Sequence, residues 1–195
     1  MSKDHAAPGT GCTTTNERYL DATLAAFLRY GISRTRMTDI AAEGRMSRTT
    51  AYRVLGTVEK AGHLLLEREL QSLLRTVTGE LESAGSGTDV IAACAAAMAH
   101  VEGHPLFRKV RQDEPAIIGE WIVRLTTPII DTVTAALLPS FSTLATRGIV
   151  QAHGDKDTVE MLVRVGMTCV LSPPRDGYEP LLYEIFCGHV TSCCE

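Results

Sequence analysis

Residues 31–55, GISRTRMTDIAAEGRMSRTTAYRVL, constrain this chain more than any other stretch, because they hold two short helical patterns with only about three residues between them. The first pattern predicts a helix over about 37–43, opened by Thr35 or Thr38 and ended near Gly44, with Ile40 and Ala41 facing inward. The second predicts a helix from Ser47 as N-cap through Leu55, with Gly56 as its stop. Upstream, Leu20, Leu24, Phe27 and Leu28 recur at helical spacing between a capping Asn16 and Gly31, and predict a first helix over about 17–30. Three short helices so closely spaced are the pattern of a helix-turn-helix.

Net charge argues against a nucleic-acid partner until it is divided, since 19 Lys and Arg stand against 23 Asp and Glu. Residues 1–60 hold nine basic and six acidic side chains, and residues 61–195 hold ten and seventeen, so the two parts carry +3 and −7. A cationic module attracts phosphate through its local field, whatever the total. Residues 1–16, rich in Gly, Thr and Pro, predict a flexible arm. The six cysteines are scattered through a mid-sized chain and read as reduced thiols. A composition of 45% hydrophobic and 22% charged residues excludes a disordered, collagen-like or rod-like chain. The unbroken apolar stretch Ile91–Ala99 falls far short of the roughly 20 residues that cross a bilayer. A soluble, cytoplasmic protein with no membrane partner is the expectation.

Downstream the chain reads as helix throughout. Thr57 caps a long helix to about Ser83, with Leu66, Leu70, Leu73, Leu74, Val77 and Leu81 on one face. Further helices are predicted over about 88–102, 105–111, 114–138 with a bend at Pro128, 141–152, 155–171 and 177–191, broken at Pro139, Gly154 and residues 172–177. No alternating β-branched run appears. The fold class is all-α: a flexible arm over 1–16, a three-helix helix-turn-helix domain over 17–60, and a long helix leading into a larger helical domain over 61–195.

The predicted helix 48–55 carries the chemistry. A helix lying in the major groove meets base edges near its start, while hydroxyls and cations along it hold the phosphate backbone. Ser47, Arg48, Thr49, Thr50, Tyr52 and Arg53 place six polar groups in seven positions, whereas Ala51 and Leu55, four apart, supply the packing face. Arg48 can fork onto guanine O6 and N7, worth about 1–3 kcal/mol of discrimination. Thr49 and Thr50 suit a thymine methyl or a phosphate. Tyr52 and Arg53 suit phosphates, helped by Arg36 and Thr38 at the start of the preceding helix and by Lys60. The competing reading is a solvated polar face on an ordinary helix.

The order Gly31, Thr35, Met37, Asp39-Ile40-Ala41, then Met46-Ser47-Arg48-x-Thr50-x-Tyr52-Arg53, with Leu55 and Gly56-Thr57 before the long helix, resembles the TetR family of transcriptional regulators. The matching motif covers residues 31–57 of the 195. The resemblance implies a homodimeric regulator that binds a palindromic double-stranded DNA operator and is released by a small molecule. Three departures stand out. Arg45 occupies a position where a turn glycine is common, with Gly44 just before it; Val54 stands where His or Tyr often touches phosphate; and Val58 stands where Lys is frequent.

The acidic part resembles the ligand-binding and dimerising half of such regulators. Val159, Leu162, Val163, Gly166 and Val170, then Leu182, Ile185 and Phe186, give the last two helices more apolar surface than one core face needs, which predicts a four-helix dimer interface. A pocket for a small apolar ligand is expected among Met98, Phe107, Trp121, Ile122, Leu125, Met161, Val165 and Cys169. Each of these is also an ordinary core residue by type. His104-Pro105-Leu106-Phe107, followed by Asp113-Glu114-Pro115, looks like an element of some family members.

Two clusters invite a metal reading. His100 and His104 would share a helical face, but Gly103 and Pro105 fray it and no carboxylate stands at the spacing of a hydrolytic zinc site. Cys187, His189, Cys193 and Cys194 could hold Zn or Cu(I) or act as a thiol switch, which gives a redox- or metal-sensing regulator as the alternative. Neither a Gly-x-Ser-x-Gly elbow nor a phosphate-cradling glycine loop is present, so an enzyme is not expected. No cofactor is expected. A third reading keeps an all-α carrier or enzyme whose helix-turn-helix no longer binds DNA.

Overall fold

The computed structural model describes residues 11–150 and 156–186, with side chains over 16–150 and 156–184. In chain order the helices are α1 (Gly11–Tyr30), α2 (Met37–Glu43), α3 (Arg48–Leu55), α4 (Val58–Ser83), α5 (Gly87–Gly103), α6 (Pro105–Asp113), α7 (Pro115–Thr146), α8 (Lys156–Leu171) and α9 (Tyr178–Phe186). No strand occurs among the described residues. The chain divides into two compact units. One holds the residues to Glu69 together with Gln112–Glu114, and the other holds Leu70–Arg111 and Pro115 onward.

In the first unit, Leu20, Ala22, Ala26 and Phe27 of α1 share a core with Met37, Ile40, Ala41, Ala51, Leu55, Ala61 and Leu65. The α1 helix starts at Gly11, so residues 11–16 belong to it and Asn16 is not its cap. Once the Leu20–Phe27 stripe fixes the helix, each further residue gains one backbone bond, and threonines cost only about 0.5 kcal/mol apiece. The division of the chain also falls later than residue 60. Arg68 reaches Asp21 at 2.7 Å and Glu17 at 3.4 Å, tying α4 to α1 that far along.

The second unit buries Val77 and Leu81 of α4, Val90, Ile91, Ala93, Ala95 and Met98 of α5, Phe141 and Leu144 of α7, Val159, Cys169 and Val170 of α8, and Tyr178 and Leu182 of α9 in one cluster. Pro139 does not break the chain there. Both Pro128 and Pro139 lie inside α7, exposed, so the carbonyls freed four residues upstream can face water while the helix continues. The Pro128 and Pro139 carbonyls accept the hydroxyls of Thr132 and Thr143 at 2.8 and 2.9 Å. The two halves of α7 differ in burial: no residue from Pro115 to Ile129 is buried, and the core begins at Ile130. This helix corrects the expectation about length, since its 32 residues include an 18-residue window of mean hydropathy 1.3, long and apolar enough to cross a membrane by those measures. Counting unbroken runs missed it because Thr126-Thr127 and the Glu120–Arg124 pair interrupt the run without lowering the average much.

Candidate nucleic-acid interface

The turn between α2 and α3 is built from three local arrangements. Thr35 and Thr38, the expected caps of α2, do not cap it. Thr35 is buried and its hydroxyl donates to the Gly31 carbonyl at 2.6 Å, while Arg36 takes the cap position and its N–H donates to the Asp39 carboxylate at 2.8 Å. Gly44 is needed for space, because a Cβ there would collide with Met46 and lie 3.0 Å from Ala22 Cβ. The positive φ falls one residue later, at Arg45, with φ of 49°. Gly44 therefore does not supply the turn's left-handed residue. Arg18 donates to the Gly44 carbonyl at 2.8 Å and fixes the turn on α1.

Ser47 then caps α3, its Oγ accepting the Thr50 N–H at 3.1 Å. Ala51 and Leu55 are fully buried, and this turns the remaining side chains outward. Ser47, Arg48, Thr49, Tyr52 and Arg53 are exposed, Tyr52 by 57%, and Thr50 and Thr38 are partly so. Gly56, at φ of +75°, ends α3, and Thr57 Oγ1 accepts the Lys60 N–H at 3.2 Å to start α4. Arg36 and Lys60 are exposed as well.

The charges sort themselves. Within residues 31–60 each carboxylate is engaged: Asp39 at the α2 cap, Glu43 with Arg29 at 3.2 Å, and Glu59 held below its usual range by its own N–H and the Thr57 hydroxyl. Arg36, Arg45, Arg48, Arg53 and Lys60 are exposed and make no ion pair among the described residues. Five uncommitted cations around one short polar helix form a surface suited to a phosphate backbone. Arg45 stands out in the sequence only as a missing glycine; its exposure and lack of a partner add it to the candidates.

Glu114, noted in the sequence within Asp113-Glu114-Pro115, has a partner that the sequence does not disclose. Its carboxylate accepts the N–H groups of Ile32 and Ser33 at 2.7 and 3.0 Å, so Gln112–Glu114 holds the loop between α1 and α2. A Cβ on Gly31, whose φ is +85°, would lie 2.9 Å from Glu114 Oε2. Burial pushes this carboxyl up, but the hydrogen bonds from Ser33 and Ile32 outweigh it and hold the group below its usual range.

The expected ligand set is spread over the core, its margin and the uncovered half of α7. Met98 and Cys169 are core, Phe107 and Val165 pack against that core, Trp121, Ile122 and Leu125 sit on the uncovered half of α7, and Met161 is exposed. The expected dimer set is also partly internal. Val159, Val170 and Leu182 are buried within the chain, Leu162 and Val163 pack against the same cluster, and Gly166 faces Met98 Sδ at 3.7 Å from a built Cβ. A stripe that looked too wide for one core is used by the core because α5 packs against both α8 and α9. The side chains of Ile185 and Phe186, and all of Cys187, His189, Cys193 and Cys194, lie outside the described residues. A hollow of about 170 Å³ lies between α4 and α5, lined by Ser72, Leu73, Thr76, Val77, Glu80, Ala96, Ala97 and His100. Among the described residues no three His, Cys, Asp or Glu side chains stand close enough to hold a metal.

No family profile and no curated protein sequence matches the chain. Solved structures do. A TetR-family transcriptional regulator from Pectobacterium atrosepticum aligns with TM-score 0.73 at 14% identity over 92% of this chain and 96% of its own. The TetR-family repressor AlkX from a Dietzia strain, implicated in n-alkane biodegradation, aligns with TM-score 0.66 at 17% identity over 91% and 94%. The SmeT–triclosan complex aligns with TM-score 0.60 at 16% identity over 92% and 93%. The chain has the fold of TetR-family transcriptional regulators.

Proposed function

We propose that the protein is a transcriptional regulator and not an enzyme: a cytoplasmic homodimer that binds a palindromic operator, represses, and is released by a small ligand in its second unit. The observation that carries this reading is the capped, outward-facing α3, whose polar side chains stand among five uncommitted cations. Arg48 is the base reader, and Tyr52, Arg53, Thr38, Arg36 and Lys60 hold the backbone. For the partner protomer the last two helices still offer exposed Met161, Leu171 and Tyr183. Two recognition helices must sit about 34–36 Å apart to enter successive major grooves. A ligand that binds better to another spacing weakens DNA binding by the same factor that DNA weakens ligand binding. Cys94 and Cys169 are poor candidates for a thiol sensor, since burial raises both thiols, Cys94 to about 12.

The test is a gel-shift titration on the DNA flanking the protein's own gene, with Arg48→Ala beside the parent. Binding by the parent, with Arg48→Ala losing about 1–3 kcal/mol of preference at one base position, supports the reading. A parent that binds that DNA no better than random duplex removes it.

A further inference from the structure

We propose that the hollow between α4 and α5 binds a small amphiphilic amine, its cationic nitrogen at Glu80 and its apolar body against Leu73, Val77, Ala96 and Ala97. This deepens, and rests on, the reading of the second unit as ligand-binding, and it replaces the expected apolar ligand with a cationic one.

The space exists for a sequence reason. On α4 the lining residues Ser72, Thr76 and Glu80 recur every four positions, a column about 12 Å long at 1.5 Å per residue. Opposite them α5 presents Ala96 and Ala97, whose methyl groups cannot fill the gap. The result is a groove of about 170 Å³, open to solvent along Ser72, Thr76, Glu80, Ala96 and His100, with room for about one ring and a short side chain. Leu73, Val77 and the two alanines make apolar walls, and Val77 itself is buried in the core.

Charge selects the class. Glu80 is the only carboxylate in the lining, no Lys or Arg lines the hollow, and Glu80 makes no ion pair among the described residues. Its influence reaches inward, since burial first and then the Glu80 charge push the Cys94 thiol up to about 12. An exposed carboxylate without an ion-pair partner, beside apolar groove walls, favours a cation and disfavours an anion. His100, also in the lining, offers a second polar contact.

Benzylamine is the probe, with benzyl alcohol and benzoate of similar size as controls, read by calorimetry and by melting temperature on the full chain without DNA. Benzylamine should bind and raise the melting temperature, benzyl alcohol should bind about two- to fivefold more weakly, and benzoate should not bind, as loss of one ion pair at a partly wet site implies. Glu80→Gln should bring benzylamine to the level of benzyl alcohol. Ala96→Phe, on an exposed position of α5, should fill the hollow and abolish both, with circular dichroism showing the helices intact. Equal binding of benzylamine by parent and Glu80→Gln, or no binding by the parent, overturns the proposal. A parent that binds its operator but no amine fails here alone, whereas one that binds the amine without any change in DNA retention keeps this site and loses the ligand-released regulator.

Discussion

The two units hold their helices by different means. Around α1 to α3 nearly every turn is fixed by a specific hydrogen bond within a few residues: Thr35 to Gly31, the Arg36 N–H to Asp39, Thr50 to Ser47, Lys60 to Thr57. The second unit has one such turn at Ser86 and Asp89 but relies mainly on apolar packing over long helices, and where that packing ends, at Ile129 in α7, fifteen residues of helix continue without a buried side chain. Local chemistry writes itself into sequence at fixed offsets, whereas packing chooses partners far along the chain. A surface made by the first rule is legible in the order of residues; one made by the second is not.

Substitutions at the two extremes should show the contrast most strongly. Phe27 is buried in the first unit, and Phe27→Ala should cost about 3–5 kcal/mol in chemical denaturation. Val123 on α7 is 84% exposed, and Val123→Ala should stay within about 0.5 kcal/mol. A loss above about 1 kcal/mol at Val123 would mean that the first half of α7 is covered in solution, and the contrast would fail on that side.

The same contrast explains which parts of the molecule the sequence discloses. The bounds of α2 and α3 follow from Gly44, Ser47 and Gly56, and the exposed set Arg48, Thr49, Tyr52 and Arg53 follows from placing Ala51 and Leu55 inward. Thr35 misleads because a threonine before a helix can cap it or can be buried against the preceding glycine carbonyl, and only the fold decides. Glu114 is invisible as a partner because it meets Ile32 from more than eighty positions away. The ligand and dimer sets are harder to read for a related reason. Apolar residues at helical spacing declare that a face is covered, not whether the cover is the same chain, another chain or a small molecule, and Val159 and Leu182 are covered by their own chain.

The Glu114 contact gives a pH-dependent way to sharpen the comparison, because here a residue more than eighty positions away serves the first unit. The folded protein holds this carboxyl below its ordinary value. Its contribution is therefore complete above the unfolded value of about 4.3 and is lost as pH falls through the lower folded value. Glu114→Gln should cost about 1–2 kcal/mol near neutrality, allowing for screening at a partly exposed site. The difference from the parent should shrink below about pH 4 as the parent's carboxyl takes up its proton. A gap that stays constant from about pH 7 to about pH 3 would show that the carboxylate charge has no part in holding the loop between α1 and α2.

The smallest expected effect separates stability from function within the first unit. Arg45 adopts φ of 49°, a conformation that costs a residue with a Cβ about 1 kcal/mol or more, although a glycine there would cost nothing sterically. Part of that relief is returned as the greater chain entropy of unfolded glycine, so Arg45→Gly should raise stability by no more than about 1 kcal/mol. On stability alone the substitution is an improvement. If the exposed, uncommitted guanidinium of Arg45 meets a phosphate just before the recognition helix, the same variant should bind operator more weakly, equally across sequences, with the slope of log affinity against log salt reduced by about one. Opposite signs in the melting curve and the titration would identify a residue kept for binding at the expense of the turn. A melting temperature that falls would refute the strain at Arg45, and an unchanged salt slope would remove Arg45 from the interface while leaving Arg48 and its neighbours in place.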